Sequence, residues 1–420
     1  MSHMHKLTPL LALYLYRCFQ EADEKLSEVV AESFDGYVDL NECRLLPHHL
    51  AYLGFFLSNF RCKEWAELNL CGCHVGDHGI HILYQGMKAW NLKIRTVDLR
   101  NNSLTGASSQ IIGSLALQTL HLVLSRNEIT MVKNMLFTRT VKVLHLEDIN
   151  CKIPDIELIS GMITFLEELD ISYNGLGNDG VTLLSKGIAK TGTLKVLNIN
   201  NNNIGPSGCV ALKDALIKNT SLVELRVGNN AIGEDGISAV ISIIANSSTL
   251  KKLYINNTNI GLSGFKTLVP SVTKNSLLEL LNVDENDIGQ DGANYIASLI
   301  ATNTLKELFI SRNNIGPSGA RTIANCLENN TSLEKLYMNQ NGKGPEGVTA
   351  FATVIPKNKT LKTLSLSYDY TIDQRIAMEI IGSLKYNKTI TILLRRNHSY
   401  FATIMTRDLS KFDKNRVHFY

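Results

Sequence analysis

Leu194–Gly208 reads LKVLNINNNNIGPSG, a spacing of Leu194-x-x-Leu197-x-Ile199-x-x-Asn202-x-Ile204-Gly205-x-x-Gly208. The position held by Asn202 recurs at 174, 230, 258, 286, 313, 341, 369 and 397, in steps of 28 residues except one of 27 before 313. Upstream it is held by Cys43, Cys73, Asn102, Asn127 and Ile149, with steps of 30, 29, 25, 22 and 25 up to Asn174. Chance does not keep one register over fourteen units, so self-similarity decides the architecture before any single residue does.

Each part of the unit has a physical reason. The Leu-x-Leu alternation makes a short strand whose apolar side chains face one way. The asparagine amide has donors and acceptors to satisfy backbone groups where the chain leaves that strand. Cysteine or Thr258 serves the same place with fewer bonds. The Ile-Gly-x-x-Gly turn then opens a helix such as Gly180–Lys190, with Val181, Leu184 and Ile188 on one side. Strand, turn and helix in every unit predict an α/β leucine-rich-repeat solenoid, with a parallel inner sheet and outer helices. Strands about 4.8 Å apart facing helices roughly 8–10 Å apart predict a horseshoe with the sheet on its concave side. The expected organisation is an N-terminal cap helix over 1–36, a solenoid over 37–397 and a C-terminal cap over 398–420. The cap helix is read from the apolar stripe within Leu7–Ser33, and MSHM at 1–4 reads as a cloning remnant. The short units between Asn102 and Asn174 leave less room, predicting locally altered curvature or poor helices around Thr130–Thr140 and Asn150–Thr164.

Composition is compatible with this. Apolar residues make up 44% of the 420, enough for a core that grows lengthwise by stacking. The net charge of +3 lacks the basic excess of a nucleic-acid binder, so none is expected as partner. No run is long and apolar enough to predict a membrane helix. The eight cysteines are scattered, and free thiols in a reducing, cytoplasmic setting are expected over a disulfide framework. The Asn-x-Ser/Thr tripeptides at Asn219, Asn330 and Asn358 read as chance in a chain this rich in such residues.

The N-terminal quarter carries a more specific signal. Leu15-Tyr16-Arg17-Cys18-Phe19-Gln20-Glu21-Ala22, then Val38–Cys43 (VDLNEC), Leu46-Pro47-His48-His49, Leu53–Asn59 (LGFFLSN) and Trp65–Asp77 follow one another. In these segments the chain resembles the C-terminal leucine-rich-repeat domain of animal NOD-like receptors. The resemblance implies a ligand-sensing, autoinhibitory role in innate immunity, with an upstream nucleotide-binding module as a further partner in the intact receptor. No Gly-x-x-x-x-Gly-Lys-Ser/Thr loop occurs in these residues, so nucleotide hydrolysis is not expected of them. Two other readings of the repeat are a free-standing cytosolic inhibitor of one protein partner, as ribonuclease inhibitor is, and a GTPase-activating surface.

Catalytic, metal and cofactor sites are not expected. Cys71, Cys73, His74, His78 and His81 have the chemistry of zinc ligands, but Cys73 is already explained as a ladder position and four converging ligands are required. The concave face is the expected binding site. Its middle column reads Asp39, Asn69, Asp98, Val123, His145, Asp170, Asn198, Arg226, Tyr254, Asn282, Phe309, Tyr337, Ser365 and Leu393. Tyr254, Phe309 and Tyr337 fall within four units, flanked by Lys252, Asp284, Glu307, Arg312 and Lys335, with Tyr368 one unit further. Exposed aromatics ringed by charge are the usual composition of a protein-binding hot spot, so a protein or peptide ligand is expected there. The N-terminal half of the face is acidic, with Asp39, Glu42, Glu67, Asp98, Glu147, Asp148, Glu168 and Asp170, and reads as solvated surface.

Overall fold

The computed structural model describes residues 36–59, 65–87, 93–129, 139–366, 374–394 and 417–419. Nearly all of the expected N-terminal cap, residues 130–138, Tyr368 and most of 398–420 lie outside the described residues. The chain divides into two compact units, residues 1–202 and 203–420.

In the first unit, β1 (Tyr37–Asp39), β2 (Trp65–Asn69), β3 (Ile94–Asp98), β4 (Thr119–Val123), β5 (Val143–His145), β6 (Glu168–Asp170) and β7 (Val196–Asn198) each pair in parallel with the next. The helices Pro47–Asn59, Gly76–Met87, Ser109–Ala116, Ile153–Met162 and Gly177–Ile188 lie between them. The second unit repeats the scheme with β8 (Glu224–Arg226), β9 (Lys252–Tyr254), β10 (Leu280–Asn282), β11 (Glu307–Phe309), β12 (Lys335–Tyr337), β13 (Thr363–Ser365) and β14 (Thr391–Leu394), parallel and in chain order. A further strand, β15 (Val417–Phe419), pairs with β14 inside the segment expected as C-terminal cap.

The alternation predicted for the strands is what buries them. In three-residue strands such as those holding Leu197, Leu253 and Leu336 the middle residue is fully buried, and so is the residue just past the strand, such as Ile199 or Ile255. Helix residues Val181, Leu184 and Ile188 join the same core. The flanking residues face the opposite, open side of the sheet, part-exposed in strands such as Glu307–Phe309 and Lys335–Tyr337 and buried at Asn198, Glu224, Leu280 and Ser365.

The ladder asparagines act as their amides allow. Asn313 Oδ1 accepts from the Asn286 backbone N–H at 2.9 Å, while its Nδ2 donates to Val283 O at 2.9 Å and Ser311 O at 3.1 Å. Asn286, Asn202 and Asn341 repeat this, all but inaccessible to solvent, where an unpaired amide would be costly. The Thr258 hydroxyl lies 2.7 Å from Ile255 O and 3.1 Å from Asn286 Oδ1, its one proton directed to the nearer carbonyl. Cys73 Sγ donates to Leu40 O at 2.9 Å, which fits the cysteine reading of that position.

Three features depart from the sequence reading. Asn150–Thr164 holds a well-formed helix, Ile153–Met162, started by Pro154 in its first turn and by Asp155 accepting from Lys152 N–H at 3.1 Å. The tripeptides at Asn330 and Asn358 are not chance. Their amides are buried and donate to Ile300 O and Leu327 O at 2.6 Å each, closing a second ladder where helix returns to strand. Within it the Asn oxygen accepts from the backbone two and three residues on, as Asn219 does from Ser221 and Leu222, and Ser332 Oγ bonds Leu305 O at 2.9 Å. Finally, Lys343 fills the buried place held by Ile288 and Ile315 in preceding units, its Nζ donating to Met338 O at 2.8 Å.

Candidate functional site

On the open face of the second unit the strand register sets three columns of side chains. The middle column runs Arg226, Tyr254, Asn282, Phe309, Tyr337 and Ser365 as direct strand partners. Phe309 and Tyr337 stack, with ring centroids 4.4 Å apart and planes within 3° of parallel. The parallel strands place them on adjacent rungs, so the rings stand up from the sheet side by side, the favoured geometry for an offset pair. Tyr254 stands two rungs away, separated from Phe309 by Asn282. Arg226 covers its ring, the guanidinium carbon 5.1 Å from the centroid, within the range of a cation–π contact. Burial, and then the Glu224 carboxylate, push the Tyr254 phenol above its ordinary value, so it stays protonated.

The column nearer the strand starts runs Glu224, Lys252, Leu280, Glu307, Lys335 and Thr363. Lys252 Nζ is 3.2 Å from Glu224 Oε2, and Lys335 Nζ is 2.9 Å from Glu307 Oε1. The Glu224 side chain is nearly buried and also holds Arg226, so one carboxylate fixes both cations beside Tyr254. The hydrogen bond to Glu307, outweighing burial, raises the Lys335 ammonium above its ordinary value.

The third column contains Asp284, Ser311 and Asn339. Asp284 accepts from the Ser311 backbone, yet burial dominates and pushes its carboxyl up to about 7. Arg312 is not on the face. It occupies the residue before the ladder asparagine, which adopts a left-handed backbone (φ 55°), as do Asn201, Asn229, Asn257, Glu285 and Gln340 at the equivalent places. There Arg312 Nη1 pairs with Glu285 Oε1 at 3.0 Å and its Nε meets Gln340.

The structure therefore brings Phe309 and Tyr337 into contact, pairs Glu307 with Lys335, and leaves Tyr254 apart from the pair. Arg226, Glu224, Asn282 and Gln340 were missed as site residues. The signal for Arg226 and Asn282 was adjacency within the middle column, for Glu224 the 28-residue offset from Lys252, and for Gln340 the 28-residue offset from Arg312.

In the first unit five of the acidic residues have partners, Glu147 with Arg126 among them. Asp98 is bridged by Arg100 at 2.6 Å, His145 Nε2 lies 2.9 Å from Glu168, and Asp39 and Asp170 accept from Asn69 and Asn198. Cys73 is buried among backbone carbonyls, its thiol pushed up to about 12 by burial, which opposes the thiolate a metal would need. No helix among the described residues is long and apolar enough to cross a membrane.

A Leucine Rich repeat family model matches residues 163–185, 193–213, 218–240 and 302–324. The fold is a leucine-rich-repeat solenoid. Its repeats are similar to those of ribonuclease inhibitor from Sus scrofa, 27% identical over 192 residues, which is 41% of this chain and 40% of that protein. The chain thus aligns with less than half the length of that relative. Among solved structures, an internalin from Listeria monocytogenes aligns over 82% of this chain and 88% of its own, at 20% identity and a TM-score of 0.46. The actin-binding site 2 of leiomodin-1 aligns over 36% of this chain and 90% of its own, at 16% identity and a TM-score of 0.32.

Proposed function

We propose that this chain is a protein-binding repeat domain whose ligand seats on Tyr254, Phe309 and Tyr337. Lys252, Glu307, Lys335 and Asp284 border the seat and Arg312 belongs to its rim, while Tyr368, expected with them from the sequence, lies outside the described residues. The observation that carries this reading is the stacked, part-exposed Phe309–Tyr337 pair. Two large rings held rigidly on an open sheet face supply apolar contact area at little ordering cost. Binding is the activity, without chemistry on the ligand.

The resemblance of the N-terminal segments to NOD-like receptors extends the proposal to a cytoplasmic setting in innate immunity. There the domain holds an upstream nucleotide-binding module at rest, and a ligand that binds the open arrangement better shifts the equilibrium. The similarity to ribonuclease inhibitor supports the second reading, a free-standing inhibitor of one protein partner.

The test uses the purified chain and its Tyr254→Ala/Phe309→Ala/Tyr337→Ala variant to capture proteins from matching cytosolic extract. Any retained protein is then purified and titrated against both. Loss of affinity in the variant by tenfold or more, about 1.4 kcal/mol, supports the seat. Equal affinity removes it. A phosphate loop encoded upstream in the natural gene separates the receptor reading from the inhibitor reading.

A further inference from the structure

The middle column of the second unit is an interrupted stack. Arg226 lies on Tyr254, and Phe309 lies on Tyr337. Between these two pairs, on β10, the column holds the short side chain of Asn282. Neighbouring strands are about 4.8 Å apart, so the Tyr254 and Phe309 rungs stand about 10 Å apart, and one flat ring inserted between them would lie on both. The 4.4 Å Phe309–Tyr337 stack shows that adjacent rungs hold rings in contact, and Arg226 lies 5.1 Å from the Tyr254 centroid on the far side.

The floor of this slot has a defined polarity. Asn282 Oδ1 accepts from the Asp284 backbone N–H at 2.9 Å, which fixes the amide with its Nδ2 as the remaining group. That Nδ2 donates to no atom of the described residues. The ends of the slot are Leu280, which is buried, and Asp284. The charges around it are already paired with each other, Lys252 with Glu224 and Lys335 with Glu307, so neither a strongly acidic nor a strongly basic occupant is called for.

We infer that the slot between Tyr254 and Phe309 receives one tyrosine side chain of a protein ligand, its ring stacked on both walls and its phenolic oxygen accepting from Asn282 Nδ2. Phenylalanine fits the walls and leaves the amide unsatisfied, and aliphatic residues lose the stacking. The inference rests on the binding seat proposed above and names its specificity.

The probe is a phage-displayed library of random dodecapeptides, selected on the wild-type chain and counter-selected on the triple alanine variant. Enriched peptides are expected to share one tyrosine. Replacing it with phenylalanine weakens binding about 3- to 10-fold, the worth of one hydrogen bond. Asn282→Phe fills the missing rung and abolishes binding. Asn282→Ala, which leaves the slot open, makes the tyrosine and phenylalanine peptides bind equally, the coupling a direct contact requires. Enriched peptides without a fixed aromatic overturn the inference, as does binding that survives Asn282→Phe, or a tyrosine preference that persists in Asn282→Ala. In those cases the seat itself still stands. A library that yields no peptide discriminating wild type from the triple variant overturns both.

Discussion

Asp284 stands in the third column of the open face, with its carboxyl held up at about 7 chiefly by burial. Between the ordinary 3.8 and that value the folded chain keeps a proton that the unfolded chain has released. Stability contributed here therefore falls as pH rises through that window. Asp284→Asn keeps an oxygen for the Ser311 N–H and removes the charge. It is expected to raise the unfolding free energy from urea titration near pH 8 by on the order of 1 kcal/mol, with solvent screening of this part-exposed group included, and the gain fades toward pH 4. An equal difference at both pH values would show an ordinary carboxyl. Thr258 offers a second test at this scale, because it replaces the ladder amide with one hydroxyl, and the Ile232 N–H turns to Asn230 O instead. Thr258→Asn restores the donor pair and is expected to stabilise by about 1 kcal/mol in the same assay. Single residues were unevenly legible. The buried asparagines announced themselves by period, whereas Asn330 and Asn358 hid behind a common tripeptide. Lys343 broke an apolar column that periodicity alone would fill with isoleucine.

At the scale of elements, the short units show how a solenoid absorbs a deletion. Between Ile149 and Asn174 the chain gives up turn length and keeps a helix, Ile153–Met162, because a proline start and an aspartate cap need few residues. Counting residues per unit predicted a poor helix there, since length alone does not say which part is shortened. Neighbouring helices then meet backbone to backbone. A Cβ at Gly187 would lie 2.0 Å from Ser160 O, whereas one at Gly161 meets nothing within 4 Å. Both sit in helices, where alanine is favoured over glycine by about 1 kcal/mol. Gly161→Ala is accordingly expected to stabilise by about 0.5–1 kcal/mol. Gly187→Ala is expected to destabilise by on the order of 2 kcal/mol, since the helices must separate. Thermal unfolding of the two variants decides this, and a stabilised Gly187→Ala would show that the pair of helices is loosely packed.

For the molecule as a whole, charge is arranged to cancel locally. Its 42 basic and 39 acidic groups leave +3, and on the second unit's open face Lys252 and Lys335 are each closed into a pair with a glutamate. Along the strand starts Lys251, Glu279 and Lys306 interlock, as do Glu334 and Lys362. The columns that create this pattern were legible in the sequence, because a parallel sheet with a fixed repeat puts every twenty-eighth residue on the same line. Which residues touch along a column was not legible: Tyr254 and the Phe309–Tyr337 stack read alike until the intervening Asn282 is seen at full height. A surface whose ions already have partners gains little from those of a ligand, and stacking and apolar contact do not respond to screening. Binding to the aromatic seat is therefore expected to change less than about threefold between low and high salt, with any salt effect confined to the association rate. Titration of a library-selected peptide across that range checks it. A loss of tenfold or more would mean that charges must be broken out of their pairs to bind, and the double substitution Glu224→Gln/Glu307→Gln would then strengthen the response to an acidic ligand, tracing the salt dependence to Lys252 and Lys335.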